Sequence, residues 1–293
     1  MPRACPTEAG LRFGILGSLE VEDDASDVRT PGASKPRVLL AHLLTNADRV
    51  VSVERLIAQM WRRQPPRTAR TALHVYVSKL RRLLGGETTT PDRSMLVTQP
   101  PGYLLRLGGA GLDARAFDTL LATARTRANQ GRLCEASQLI TDALGLWRGP
   151  ALADVRSAGG DLENEARRLD EARIAAYERR VELDLRLDRH ADLVGELYAA
   201  TSDHPMRESL HEYLMVALHR SGRPGEALEV YRAIHRSLQD TLGLEPGPRL
   251  QRLQRTVLTR GAEDLEYPGR WAGSGRGLAG GTRPRPKLSV RSA

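Results

Sequence analysis

The sequence predicts a mainly α-helical protein: an N-terminal winged helix-turn-helix with a small β-sheet and wing hairpin, followed by an all-α domain of tetratricopeptide-like helical repeats. Three observations lead there. Between residues 11 and 108, short alternating apolar segments precede three amphipathic helical stretches and a hairpin. From residue 113 to about 260 the apolar pattern is helical, broken only at turn-forming junctions. Two later helices, opened by Asp188-Arg189 and Gly222-Arg223, start 34 residues apart, the tetratricopeptide period. The expected organisation is a flexible segment 1–10, a winged-helix domain 11–108, a helical domain 109–262 and a disordered basic tail 263–293.

The elements follow in order. LRFGILGSLEVE at 11–22 alternates as short strands, with Gly14 and Gly17 as turn or bulge points. KPRVLLAHLLTNA places Val38, Leu39, Leu43 and Leu44 on one helical stripe. SVERLIAQMW opens on Ser52 as N-cap, with Arg55 where a capping box would hold Glu, and Leu56, Ile57 and Met60 turn inward. The two prolines of RRQPPR stop that helix. The third helix, TARTALHVYVSKLRRLLG, buries Leu73, Val77, Leu80 and Leu84 and ends at Gly85 and Gly86. SMLVTQPPGYLLRLG reads as a hairpin around Gln99-Pro100-Pro101-Gly102.

Further on, breaks are expected near Gly131, Gly149, Gly159–Gly160, Asp203–Pro205, Gly222–Pro224 and Gly243–Pro246. GRLCEAS at 131–137 and GRPGEAL at 222–228 echo each other. Leu210, Leu214 and Leu218 form a buried stripe, which would place His211 and His219 at the helix surface. The run EARRLDEARIAAYERRVELDLRLD reads as a salt-bridged, solvated helix face.

Charge is distributed unevenly. The chain of 293 residues is +8 overall, but residues 1–108 hold 16 basic and 10 acidic residues, 109–267 hold 22 and 26, and 268–293 hold 6 and none. Between Arg29 and Arg106 there are 14 basic and 4 acidic residues. Only the first domain therefore suits a polyanion. Aromatics are 4% of the chain, which leaves Leu, Ala and Val to build the core. No apolar run approaches the ~18 residues of a membrane span. MPRACPTEAG lacks the apolar stretch of a secretory signal. Cys5 and Cys134 have no metal-ligand spacing. These features read as a cytoplasmic, nucleoid-associated protein with no metal and no cofactor.

With its apolar stripe turned inward, the third helix presents Arg70, Thr71, His74, Val75, Ser78, Lys79, Arg81 and Arg82. This face combines cations, hydroxyls, an imidazole and a methyl-bearing side chain, and contains no acid. Such a set suits the major groove, where Arg and Lys meet guanine acceptors and apolar groups touch thymine methyls. The hairpin adds Arg93, Thr98, Gln99 and Tyr103 as wing candidates for the DNA backbone or minor groove. The G-x-S-x-G, H-E-x-x-H and GxxxxGK[ST] motifs are absent, so hydrolase and phosphate-loop readings fail and no catalytic residue is expected.

These residues resemble the Streptomyces antibiotic regulatory proteins, which join an OmpR-type winged helix-turn-helix to a bacterial transcriptional activation domain. The matching pieces are FGILGSLEV, KPRVLLAHLLTNADRVVSVERLIAQMW, HVYVSKLRRLL and PPGYLLRL in the first domain. In the second they are ALGLWRGPALADV, ERRVELDLRLDRHADLVGEL and the segment 204–253. The resemblance implies a pathway-specific activator of secondary-metabolite genes that binds direct repeats near the −35 element and recruits RNA polymerase; a homodimer on DNA is one arrangement such repeats would allow, and the sequence leaves the oligomeric state open. It implies Lys79 and Arg81 as leading DNA contacts, Thr71, His74, Val75 and Ser78 as base-edge contacts, and Arg82 and Tyr103 as backbone contacts. Trp61, Arg62, Arg63 and Arg67 fall where OmpR-type proteins touch polymerase. The chain is expected to be the small form of the family, without an ATPase or receiver domain. A repressor of the same fold and a helical-repeat scaffold are the alternatives.

Overall fold

The computed structural model describes residues 10–23, 30–62, 64–85 and 94–259. The expectations for segment 1–9, for the basic tail, and for Arg63 and Arg93 lie outside these residues.

Two small sheets frame the N-terminal unit. In the first, β1 (Arg12–Gly14) pairs antiparallel with β2 (Glu20–Glu22) and parallel with β6 (Gly111–Leu112). In the second, β5 (Gly102–Leu105) lies between β3 (Val50–Ser52) and β4 (Leu96–Gln99), antiparallel to both. Gly102 is required there: a Cβ would fall 1.8 Å from the Val51 carbonyl oxygen of the neighbouring strand. Three helices, α1 (Ser34–Thr45), α2 (Val53–Trp61) and α3 (Ala69–Gly85), pack on one another and on the second sheet, where α1 meets β5, α2 meets β3 and α3 meets β4. Ser52 caps α2 as expected, its hydroxyl accepting the Arg55 N–H at 3.2 Å.

Among the described residues seven helices follow: α4 (Asp113–Asn129), α5 (Leu133–Gly145), α6 (Asp161–Arg186), α7 (His190–Asp203), α8 (Glu208–Arg220), α9 (Pro224–Leu242) and α10 (Pro248–Thr259). A 3₁₀ turn at Arg156–Ala158 precedes α6. The helix breaks fall where the turn residues put them, and α7 and α9 begin at His190 and Pro224, the repeat offset.

Apolar burial forms two cores. The first joins the winged helix to α4, α5 and most of α6, from Leu11 to Leu183. The second runs from Val181 to Val257 and is built by the end of α6 with α7 to α10. The 26-residue α6 is thus a wall shared by both.

Two surface expectations fail, for one reason. Helices α6, α7, α9 and α10 all pack on α8, so its residues Leu210 to His219 are buried all round. His211 and His219 are therefore interior, and burial holds the His211 imidazole below its ordinary pKa. The same packing takes in the late acids of α6. Glu178, Glu182 and Asp184 are buried and bonded across helices: Arg207 donates to Glu178 at 2.7 Å, the Tyr213 hydroxyl to Glu182 at 2.8 Å and the Ser137 hydroxyl to Asp184 at 2.7 Å. Only the early part of that run, such as Arg168 with Glu165, is the solvated ion-paired face that the sequence suggests.

Candidate nucleic-acid interface

Helix α3 buries Leu73, Val77, Leu80 and Leu84, at 6% exposure or less, against α1, α2 and β4. The opposite face is solvent-exposed over Arg70, Thr71, His74, Val75, Ser78, Lys79 and Arg82. Val75, an apolar residue, stands 47% exposed among them. Arg70 makes an exposed ion pair with Glu54 on α2 at 2.9 Å. The Ser78 hydroxyl donates to the His74 carbonyl within the helix at 3.0 Å. Lys79 and Arg82 have no carboxylate partner among the described residues.

Arg81 is placed differently. It is partly buried, and its guanidinium spans the gap from α3 to the wing. Nε donates to the Leu96 carbonyl at 2.8 Å and Nη2 to the Thr98 hydroxyl at 2.7 Å. In this structure it braces the helix against β4. Thr98 and Gln99 are exposed at the hairpin end. Tyr103, a backbone candidate by resemblance, is 5% exposed: its ring belongs to the core because β5 is the central strand of its sheet. Burial raises its phenol pKa, and the nearby Arg81 charge opposes that rise.

The four positions assigned to polymerase separate as well. Trp61 stacks on Tyr76, centroids 6.3 Å apart, and the Lys35 ammonium lies 5.5 Å from its ring centroid. Arg62 has a left-handed backbone, φ 50°, and its guanidinium rests on Gly159, where a Cβ would fall 2.0 Å from Nη2. Arg67 is exposed.

The Arg62 contact belongs to a docking seam that sequence reasoning missed. Arg55 pairs with Asp161 at 2.7 Å, and the Gln59 side chain accepts the Asp161 N–H at 3.3 Å, which seats α2 on the start of α6. The Asp113 carboxylate accepts the N–H groups of Ile15 and Leu16 at 2.9 Å and that of Ala114 at 2.7 Å. Asp154 accepts the Leu19 N–H at 2.8 Å and pairs with Arg37 at 2.8 Å. Arg148 runs alongside Gly14 to reach Glu20 and Asp113. Asp113 and Asp161 open helices and look in sequence like ordinary first-turn acids. Arg55, at the capping-box position without the usual Glu, was the one visible anomaly. The seam uses the β1–β2 loop, α1 and α2, and so leaves the outer face of α3 uncovered.

Comparison with known proteins agrees with this anatomy. Residues 30–105 match the family model described as transcriptional regulatory protein, C terminal, and residues 112–258 match that of the bacterial transcriptional activator domain. The chain is 40% identical to the regulatory protein DnrI of Streptomyces peucetius over 252 residues, 85% of this chain and 92% of that one. It is 41% identical to the regulatory protein AfsR of Streptomyces coelicolor over 250 residues, 85% of this chain but only 24% of AfsR. Among solved structures, Mycobacterium tuberculosis EmbR, in complex with a low-affinity phosphopeptide, superposes with a TM-score of 0.81 at 36% identity, over 87% of this chain and 66% of EmbR. An OmpR-type winged helix fused to a bacterial transcriptional activator domain, with DnrI and AfsR as relatives, makes this chain a member of the Streptomyces antibiotic regulatory protein family of transcriptional regulators.

Proposed function

We propose that the chain activates transcription of secondary-metabolite genes by binding direct repeats near the −35 element of their promoters and recruiting RNA polymerase. The observation that carries the reading is the outer face of α3: basic, acid-free, exposed, and backed by a helix face that is wholly buried. Thr71, His74, Val75, Ser78 and Lys79 would read base edges, with Arg70 and Arg82 on phosphates. Thr98 and Gln99 would place the wing on the backbone. Arg67 is the exposed residue of the α2–α3 turn best placed to meet polymerase. Two protomers would occupy adjacent repeats, where linkage raises the effective concentration.

The balance of activation against repression rests on the family alone. It is tested by transcription in vitro from a cognate promoter with purified polymerase holoenzyme. Protein-dependent stimulation is the expected result, and protein-dependent inhibition identifies a repressor. Binding to the same promoter should weaken steeply with salt, because phosphate contacts release counterions. A helical-repeat scaffold would show no such slope.

A further inference from the structure

Three residues along one side of α2 and its C-terminal end meet three consecutive residues, 159–161, that lead into α6. Arg55 pairs with Asp161 at 2.7 Å, and the Gln59 side chain accepts the Asp161 N–H at 3.3 Å. The approach is closest at the two glycines. A Cβ on Gly160 would fall 2.5 Å from Gln59 Oε1, and one on Gly159 would fall 2.0 Å from Arg62 Nη2. Gly159 at φ 74°, ψ −165° and Gly160 at φ 62°, ψ −134° also hold backbone angles that a side chain disfavours. Together they make a shallow seat that only glycine can form.

Arg62 is itself strained. Its φ of 50° and ψ of −111° are those of glycine at the first central position of a type II′ turn, and they crowd the Cβ of any other residue. Outliers of this kind persist only where their surroundings hold them, and they concentrate at functional sites. Here the guanidinium is held on Gly159. The chain beyond Arg62 is stiff. The Gln64 N–H closes a turn on the Trp61 carbonyl at 3.2 Å, Pro65 and Pro66 have fixed φ, and the Ala69 N–H donates to the Pro66 carbonyl at 2.9 Å as α3 begins. Trp61 also stacks on Tyr76 of α3. A shift at Arg62 therefore reaches the helix that carries Val75 and Lys79.

We propose that residues 159–161 form a clamp through which the helical domain sets the placement of α3, with Arg62 a positioning residue for DNA binding that does not itself touch DNA. The inference rests on the reading of α3 as the DNA-binding helix. It makes DNA affinity depend on Gly159, which is buried and cannot reach DNA.

The test is binding of the full chain, without polymerase and at several salt concentrations, to a duplex carrying the motif that the wild type enriches from random-sequence DNA. Arg62→Ala should weaken binding about tenfold. The salt slope should be unchanged, because no phosphate contact is lost. Arg62→Gly, which adopts the same angles without a Cβ, should keep most of the affinity that Arg62→Ala loses. Gly159→Ala should match Arg62→Ala, and the double variant should be no weaker than either single one, as for two residues acting through one contact. Circular dichroism establishes that each variant is folded; should Gly159→Ala fail to fold, the comparison of Arg62→Ala with Arg62→Gly decides. Unchanged affinity in Arg62→Ala, equal losses in Arg62→Ala and Arg62→Gly, a salt slope flattened by about one unit, or additive losses in the double variant overturn the proposal. A wild type that enriches no motif overturns the reading of α3, and this inference falls with it.

Discussion

Arg81 on α3 donates to the Thr98 hydroxyl on β4 at 2.7 Å and to the Leu96 carbonyl at 2.8 Å, fixing the wing to the helix beside it. Arg81→Ala should therefore lower stability by about 1 kcal/mol, the scale of a partly exposed hydrogen bond from a charged donor. It should also weaken binding to all DNA sequences alike, because it loosens the wing while leaving the base-facing residues in place. Thermal unfolding and competition between site and scrambled DNA check this. Unchanged stability with relaxed preference at one base pair would make Arg81 a reader of bases.

The two faces of α3 should answer differently to truncation. Leu80 is 1% exposed, so Leu80→Ala should cost about 2–5 kcal/mol. Val75 is 47% exposed, so Val75→Ala should stay within about 0.5 kcal/mol while altering base preference. Chemical denaturation measures both. Equal stability losses would mean that the helix faces the other way.

His42 on α1 predicts an acid sensitivity. Burial lowers its pKa from 6.5 to about 4; Asp161 opposes the change and Arg55 adds to it. An unfolded chain takes up the proton near pH 6.5, whereas the folded one resists until about pH 4. Stability contributed by the neutral imidazole is therefore full above 6.5 and declines as pH falls towards 4, by on the order of 3 kcal/mol. His42→Leu should flatten that part of the pH profile. An identical decline in the variant would place the titration elsewhere.

Gly159 should be intolerant of a side chain. Its φ of 74° disfavours one, and Arg62 lies against its Cα. With ψ at −165° its backbone lies in a region essentially restricted to glycine, so Gly159→Ala should cost about 1–3 kcal/mol from backbone strain alone. Adding Arg62→Ala should recover only the steric part, since φ is unchanged. Full recovery in the double variant would refute the strain.

Much of this fold is legible in the sequence because each signal is local. The stripe Leu73, Val77, Leu80 and Leu84 fixes the exposed face of α3, and Ser52, Gly131 and Pro224 mark helix ends. What escaped is set by distant packing. His219 lies on a helix that reads as half-polar, yet α8 is enclosed by four others. Asp184 sits in a run that reads as a solvated ion-pair ladder, yet it meets Ser137, 47 residues away. Of the candidate interface, the exposed set on α3 follows from periodicity. The bracing role of Arg81 and the burial of Tyr103 depend on where β4 and β5 pack, which periodicity does not encode.

The central claim is that the exposed face of α3 reads promoter DNA. Its most direct test is selection of random-sequence DNA by the full chain, wild type against Lys79→Ala. Lys79 is exposed and has no carboxylate partner among the described residues. The account predicts one enriched motif for the wild type. Lys79→Ala, with unchanged thermal stability, should relax that motif at a defined position and lose about 1–3 kcal/mol on it. Enrichment of the same motif at the same affinity by both proteins would contradict the claim that this face makes the contact.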